Sequence, residues 1–174
     1  MSIFKELLYW KNNSPSKSYL GVLINPNYHS LIVFRFANFL YRHKVLFLPK
    51  ILWYINRIIF SIDIDYRASI GKNFMIIHGI GIVIGKNVVI GKNCKVYQNC
   101  TLGGNGKSKK IDNVKVTMPI IGNNTAIYSN STIIGPVLIG NNVIIGAATT
   151  IVKDIPDNVI VYEKKNIHKV NIHK

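Results

Sequence analysis

The chain has 174 residues, nearly half of them hydrophobic, with 22 Lys and Arg against 7 Asp and Glu. That length bounds it to one domain with a small appendage, its hydrophobicity excludes overall disorder, and no run approaches the roughly 18 apolar residues of a membrane span. The net charge of +15 suits an acidic partner, but the cations are spread and the densest group is "GKSKK" (106–110); with no zinc-finger or RNA-recognition signature, nucleic acid is not expected.

The start, "MSIFKELLYWKNN", carries an acid and no clean apolar signal region. Together with only two cysteines this gives a cytoplasmic, reduced protein as the expectation. Residues 1–61 read as a short α-helical N-terminal region. "HSLIVFRFANFLYRHK" (29–44) keeps a wide apolar face. "PKILWYINRIIF" (49–60) opens on Pro49, which suits a first helical turn, and Ile51, Trp53 or Tyr54, Ile58 and Ile59 follow at helical spacing. Arg42, Lys44, Lys50 and Arg57 lie among them. Such a basic amphipathic helix can rest on the anionic inner face of a membrane; packing on the rest of the protein or on a sister subunit is the preferred expectation.

After residue 61 the period changes to six. Ile64, Ile70 and Ile76 are one run, Ile84, Ile90, Val96 and Leu102 a second, and Ile121, Ile127, Ile133, Ile139, Ile145 and Ile151 a third. This is a hexapeptide repeat. A helix cannot hold such a stripe, since six residues turn it through about 600°, or 240° net. A coil of three short strands can, with each aliphatic residue pointing to the axis. "GKN" and "GNN" segments mark the corners, where Gly and Asn tolerate positive φ. The fifth position of each hexad is small or branched (Val88, Cys94, Cys100, Thr125, Ser131, Val137, Val143, Thr149), so both cysteines read as inward fillers. The repeat spans 62–160 and breaks twice. It slips by two residues around His78, and Ile121 follows Leu102 by nineteen positions, so "GGNGKSKKIDNVKVTMP" holds an outward loop. "KDIPDN" (153–158) is a turn cluster, and 161–174 is a basic tail.

The stretch "IDIDYRASIGKNFMIIHGIGIVIGKNVVIGKNCKVYQNCTLGGNGK" (62–107) resembles the core of bacterial serine O-acetyltransferases. The short length and the "FRFANFLYR" region resemble the exopolysaccharide branch, of the colanic acid type. The resemblance implies a left-handed parallel β-helix, a homotrimer, and acetyl-CoA held between adjacent subunits. It places His78 on the catalytic histidine and Asp63, fifteen residues earlier, on the aspartate that orients it. Gly103, Gly104, Asn105, Gly106 and Lys107 fall on the acetyl-CoA segment, and Ser131 and Ala147 where small residues admit the pantetheine arm. Two positions depart. A second histidine, in an Arg-His-Pro context, is here Thr117, Met118, Pro119, and the acid before the catalytic histidine is here Ile77. Both departures argue against serine as acceptor.

The chemistry those residues imply is acetyl transfer to an alcohol. Neutral imidazole suits proton removal from the hydroxyl, and backbone N–H groups in "LGGNG" can meet the charge that develops on the thioester oxygen. Lys107, Lys109 and Lys110 can face CoA phosphates. His29, His43, His168 and His173 read as surface or packing residues, and no metal is expected. The leading expectation is an acetyl-CoA-dependent O-acetyltransferase acting on a sugar hydroxyl, free or glycan-linked, in surface polysaccharide biosynthesis. Serine acetylation and a non-catalytic trimeric scaffold or glycan-binding protein are the alternatives.

Overall fold

The computed structural model describes residues 3–163; His168, His173 and most of the expected tail lie outside the described residues. Four helices come first: α1 (Ile3–Asn13), α2 (Tyr19–Leu23), α3 (Pro26–Arg42) and α4 (Leu48–Phe60). Asn25 caps α3 by accepting the Asn27 N–H at 2.9 Å, and a proline opens both α3 and α4.

The hexads then wind into coils, each strand only two or three residues long. The first coil is β1 (Asp63–Ile64), β2 (Ser69–Ile70) and β3 (Met75–Ile76), the second β4 (Val83–Ile84), β5 (Val89–Ile90) and β6 (Lys95–Val96). The third starts with β7 (Thr101–Gly103), leaves the stack as a hairpin of β8 (Lys109–Ile111) and β9 (Val114–Val116), and returns in β10 (Ile120–Ile121) and β11 (Ala126–Ile127). The fourth is β12 (Thr132–Ile134), β13 (Leu138–Ile139) and β14 (Ile144–Ile145). The last holds β15 (Thr150–Ile151) and β16 (Ile160–Val161). They stack as three parallel sheets, β1-β4-β7-β12-β15, β2-β5-β10-β13 and β3-β6-β11-β14-β16. These are the three faces of a prism whose axis is filled by the isoleucine ladder, from Ile64 through Ile133 to Ile151.

Register follows the sequence breaks. Met75 pairs with Lys95 and Lys95 with Ala126, so the first coil carries two extra residues and the third thirteen beyond the 18 that separate Ala126 from Ile144. The thirteen leave the stack, as expected of the outward loop, and are paired rather than irregular. They form an antiparallel hairpin closed by Asp112 and Asn113, both at positive φ, as a two-residue hairpin turn requires.

The corners divide their labour differently from the expectation. Asn73, Asn93, Asn124, Asn142 and Asn158 supply the positive φ, and their side-chain amides bond one to the next at 2.8–2.9 Å. The glycines serve close approach instead. A Cβ on Gly71, Gly91 or Gly122 would stand 2.5–2.6 Å from a backbone oxygen of the coil above. The fifth-position residues are all buried, and four of the five polar ones donate across coils: Cys94 Sγ to Gly122 O at 3.1 Å, Cys100 Sγ to Tyr128 O at 3.0 Å, Thr125 Oγ1 to Gly140 O at 3.2 Å and Ser131 Oγ to Gly146 O at 2.8 Å, while Thr149 Oγ1 has no partner among the described residues. Burial pushes both thiols above their ordinary pKa, as expected of fillers rather than nucleophiles.

The helices close the open end of the prism. β1, β2 and β3 each end a sheet, and an exposed sheet end leaves backbone groups unpaired. Trp10 Nε1 donates to Phe74 O at 2.9 Å, Asn38 Nδ2 to Tyr66 O and Ala68 O, and Arg35 to Ile70 O and Gly71 O. Arg35 also pairs with the buried Glu6 at 2.8 Å. Trp10, Leu31 and Phe34 pack into the coil core. α4 packs on α3 and against β1, as the preferred expectation has it, but not through its isoleucine stripe. Its buried positions are Pro49 and Asn56, and its isoleucines point away from the chain.

Candidate active site

His78 lies in the two-residue slip, at the corner between β3 and β4. Its neighbours fix the backbone there. Ile77 N–H donates to Val96 O at 3.0 Å, and Ile77 O accepts from Asn27 Nδ2 at 3.1 Å. A Cβ on Gly79 would stand 2.3 Å from Asn27 Oδ1 and 2.5 Å from Ile62 Cδ1, so the residue after His78 has no room for a side chain. Gly81, at φ +74, returns the chain to β4 by donating to Ser61 O at 3.0 Å. The imidazole is exposed on this fixed corner. On one side its ring is 6.2 Å from Tyr97, which stacks on Tyr128 at 4.7 Å and 12°. On the other it joins Trp10, Asn13, Ser14 and Asn27 around a cavity of about 460 Å³.

Asp63 opens β1. Its carboxylate accepts from Trp53 Nε1 at 2.8 Å and lies 3.5 Å from Arg57 Nε, both on α4. Arg57 also sits over the Trp53 ring, 5.3 Å from its centroid. Among the described residues no hydrogen bond joins Asp63 to His78, so the orienting contact implied by the resemblance is not made within this chain. Trp53 and Arg57 were not legible as partners of Asp63. Their signal was their i,i+4 spacing on the side of α4 opposite its isoleucines.

The glycine-rich segment follows β7 at the other edge of the same sheet, two coils up, roughly 10 Å along the axis. Gly103 O accepts from Gly135 N–H at 2.9 Å. A Cβ on Gly103 would meet nothing closer than 3.7 Å, and one on Gly106, at φ +78, nothing within 4 Å. Gly104 is packed against Met118, whose sulfur would be 2.9 Å from a Cβ there. Asn105 Oδ1 accepts the Lys107 N–H at 3.0 Å, tightening the loop. The backbone at Gly106 is therefore open to solvent, while Gly103 is bordered by Ile134. Lys107 and Lys110 are exposed. Lys109 is not free for a phosphate: its Nζ lies 2.5 and 2.7 Å from the Asp154 carboxylate.

Ser131 and Ala147 separate. Ala147 is exposed at a corner, but Ser131 is 0 % exposed and its hydroxyl is spent on Gly146 O. Its side chain lines the coil interior, not a groove, because it occupies the inward fifth position of its hexad. Within one chain, then, His78 and the glycine-rich segment lie on different corners.

A three-sheet prism of hexads with a projecting arm defines a class, the hexapeptide-repeat transferases. Residues 118–153 match the bacterial transferase hexapeptide family model (six repeats). A serine acetyltransferase of Helicobacter pylori is 33% identical over 135 residues, covering 78% of this chain and 76% of its own length. One of Synechococcus elongatus is 31% identical over 137 residues, covering 79% of this chain and 54% of its own. Among solved structures, serine acetyltransferase isoform 3 of Entamoeba histolytica in complex with cysteine superposes with TM-score 0.84 at 29% identity, over 98% of this chain and 60% of that one. The chain belongs to the serine acetyltransferase family. The fold is a left-handed parallel β-helix preceded by a short helical region. The chain spans little more than half the length of some of these relatives, and the comparisons favour no exopolysaccharide branch.

Proposed function

We propose that the protein is an acetyl-CoA-dependent O-acetyltransferase with serine as acceptor and His78 as general base. The observation that carries the acceptor is the identity with serine acetyltransferases over about four-fifths of this chain. This reading replaces the sugar hydroxyl as the leading one. Acetyl-CoA supplies an activated acetyl group, and the open backbone at Gly106 supports its lying along the glycine-rich segment. His78 accepts the hydroxyl proton as that oxygen attacks the carbonyl, then returns it to the departing sulfur. Backbone N–H groups of the glycine-rich segment stabilise the oxygen that gains charge. The separation of the two corners supports a homotrimer, in which His78 of one copy faces the glycine-rich segment of its neighbour.

A second reading keeps a sugar hydroxyl as acceptor, in surface polysaccharide biosynthesis. It is supported by Ile77 and by Thr117 and Met118, which offer neither an acid for an ammonium group nor a cation for a carboxylate. Thiol release from acetyl-CoA separates the two. Serine-dependent release that falls by about 100- to 10,000-fold in His78→Ala is the expected result. Release with polysaccharide-derived acceptors and none with serine would replace the first reading by the second.

A further inference from the structure

We propose that the outward face of the α3–α4 hairpin docks on an anionic lipid bilayer, with the protein lying peripherally on its surface. α4 is inverted relative to an ordinary surface helix. Its inner side carries Asn56, buried, with Nδ2 on Ser30 O at 3.4 Å and Oδ1 unpartnered. Its outer side carries Ile51, Tyr54, Ile55, Ile58 and Ile59, the i, i+3, i+4, i+7, i+8 stripe that normally faces a core. At the hairpin tip Leu46 and Phe47 are 75% and 80% exposed. Phe47 is held at φ +65, where a bulky residue is strained, and its ring points to solvent. An apolar surface of this extent marks an interaction site.

Charge selects the occupant. The sequence holds no Asp or Glu between Glu6 and Asp63. Lys44 and Lys50 are exposed beside the stripe, and Arg42 is exposed at the end of α3. A second copy docking on this face across a two-fold axis would set these cations against their own counterparts. An anionic headgroup layer complements all of them while the isoleucines and Phe47 enter the acyl boundary. Among the described residues no helix is long and apolar enough to cross a membrane, so the contact is with one leaflet.

The test is flotation of the full chain with phosphatidylcholine vesicles, with and without phosphatidylglycerol. Binding is expected on the anionic vesicles, weaker on the neutral ones, and reduced by salt. The Leu46→Asp/Phe47→Asp and Ile51→Asp/Ile58→Asp double variants should each lose partitioning by about tenfold or more, with unchanged unfolding temperatures because these side chains cover little of the chain. Lys44→Glu/Lys50→Glu should abolish the preference for anionic lipid. Failure to float on anionic vesicles overturns the proposal. So does light scattering that shows an assembly larger than a trimer, without lipid, which the same aspartate variants dissolve; a second copy would then be the occupant.

Discussion

Ile133 and Ile58 are the same residue in opposite circumstances. Ile133 is fully buried at the axis of the prism, while Ile58 is 62% exposed on a helix whose inner side carries an asparagine. Both belong to regular apolar stripes. The difference lies in what closes around the stripe. Three sheets joined at corners leave a hexad's aliphatic residue one apolar place to go, the axis. A helix packed on one neighbour has two sides to choose from. In α4 the choice went to Trp53, Asn56 and Arg57, which reach Asp63 and the Ser30 carbonyl.

The sharpest way to break this comparison is to truncate both isoleucines. Ile133→Ala should cost about 2–5 kcal/mol of folding stability, because the stacked coils cannot collapse into the cavity. Ile58→Ser should stay within about 0.5 kcal/mol. Urea denaturation of the two variants measures both. A cost at Ile58 like that at Ile133 would mean that α4 is buried by another copy in solution. Gly122→Ala tests the coil contacts next. The new Cβ would stand 2.5 Å from Gly140 O and 2.8 Å from Asn141 N, both backbone atoms that cannot swing aside, so about 1–3 kcal/mol should be lost. Gly106→Ala has open space beside it and only its positive φ to oppose it.

The coils were legible because a six-residue period admits one geometry and its breaks mark where the chain leaves it. His78 and the glycine-rich segment stood out for that reason. The hairpin did not, since strands of three residues carry no period and "KKIDNVKV" shows its pairing only through the Asp112–Asn113 turn. The direction of α4's stripe was not legible either, because periodicity gives a face and not its outlook. Ser131 was misplaced for a related reason. A small residue suits both a groove and an inward corner, and the fifth-position pattern, Cys100, Ser131 and Thr149 on successive coils, is what decides for the corner.

Ala148 sharpens the account of the corners. It holds φ +57 without a side chain suited to it, one coil beyond Asn130, which accepts from Asn99 Nδ2 at 3.2 Å. Ala148→Asn should extend that ladder and relieve the left-handed strain, stabilising by about 1 kcal/mol. A thermal melt that does not move upward would mean that ladder bonding at this exposed corner counts for nothing.

The smallest effect is expected where the projecting hairpin is tied back. Lys109 bonds the Asp154 carboxylate, which also accepts the Leu138 N–H at 2.8 Å. The Lys109 hydrogen bond, helped by Leu138, holds the Asp154 carboxyl below its ordinary pKa. A depressed carboxyl contributes stability above its unfolded value, about 3.9, and loses it as pH falls through the folded value. The tether is therefore complete at neutral pH and loosens only in acid. Asp154 is half exposed, so the pair should contribute no more than about 1 kcal/mol. Hydrogen exchange of the β8–β9 amides should be slow at neutral pH in the wild type. In Asp154→Asn it should already be faster there, with little change in the melting temperature. Equal exchange in the two proteins would show that the hairpin is held by its own two strands and by Val116 against the coils, and that the ion pair merely accompanies it.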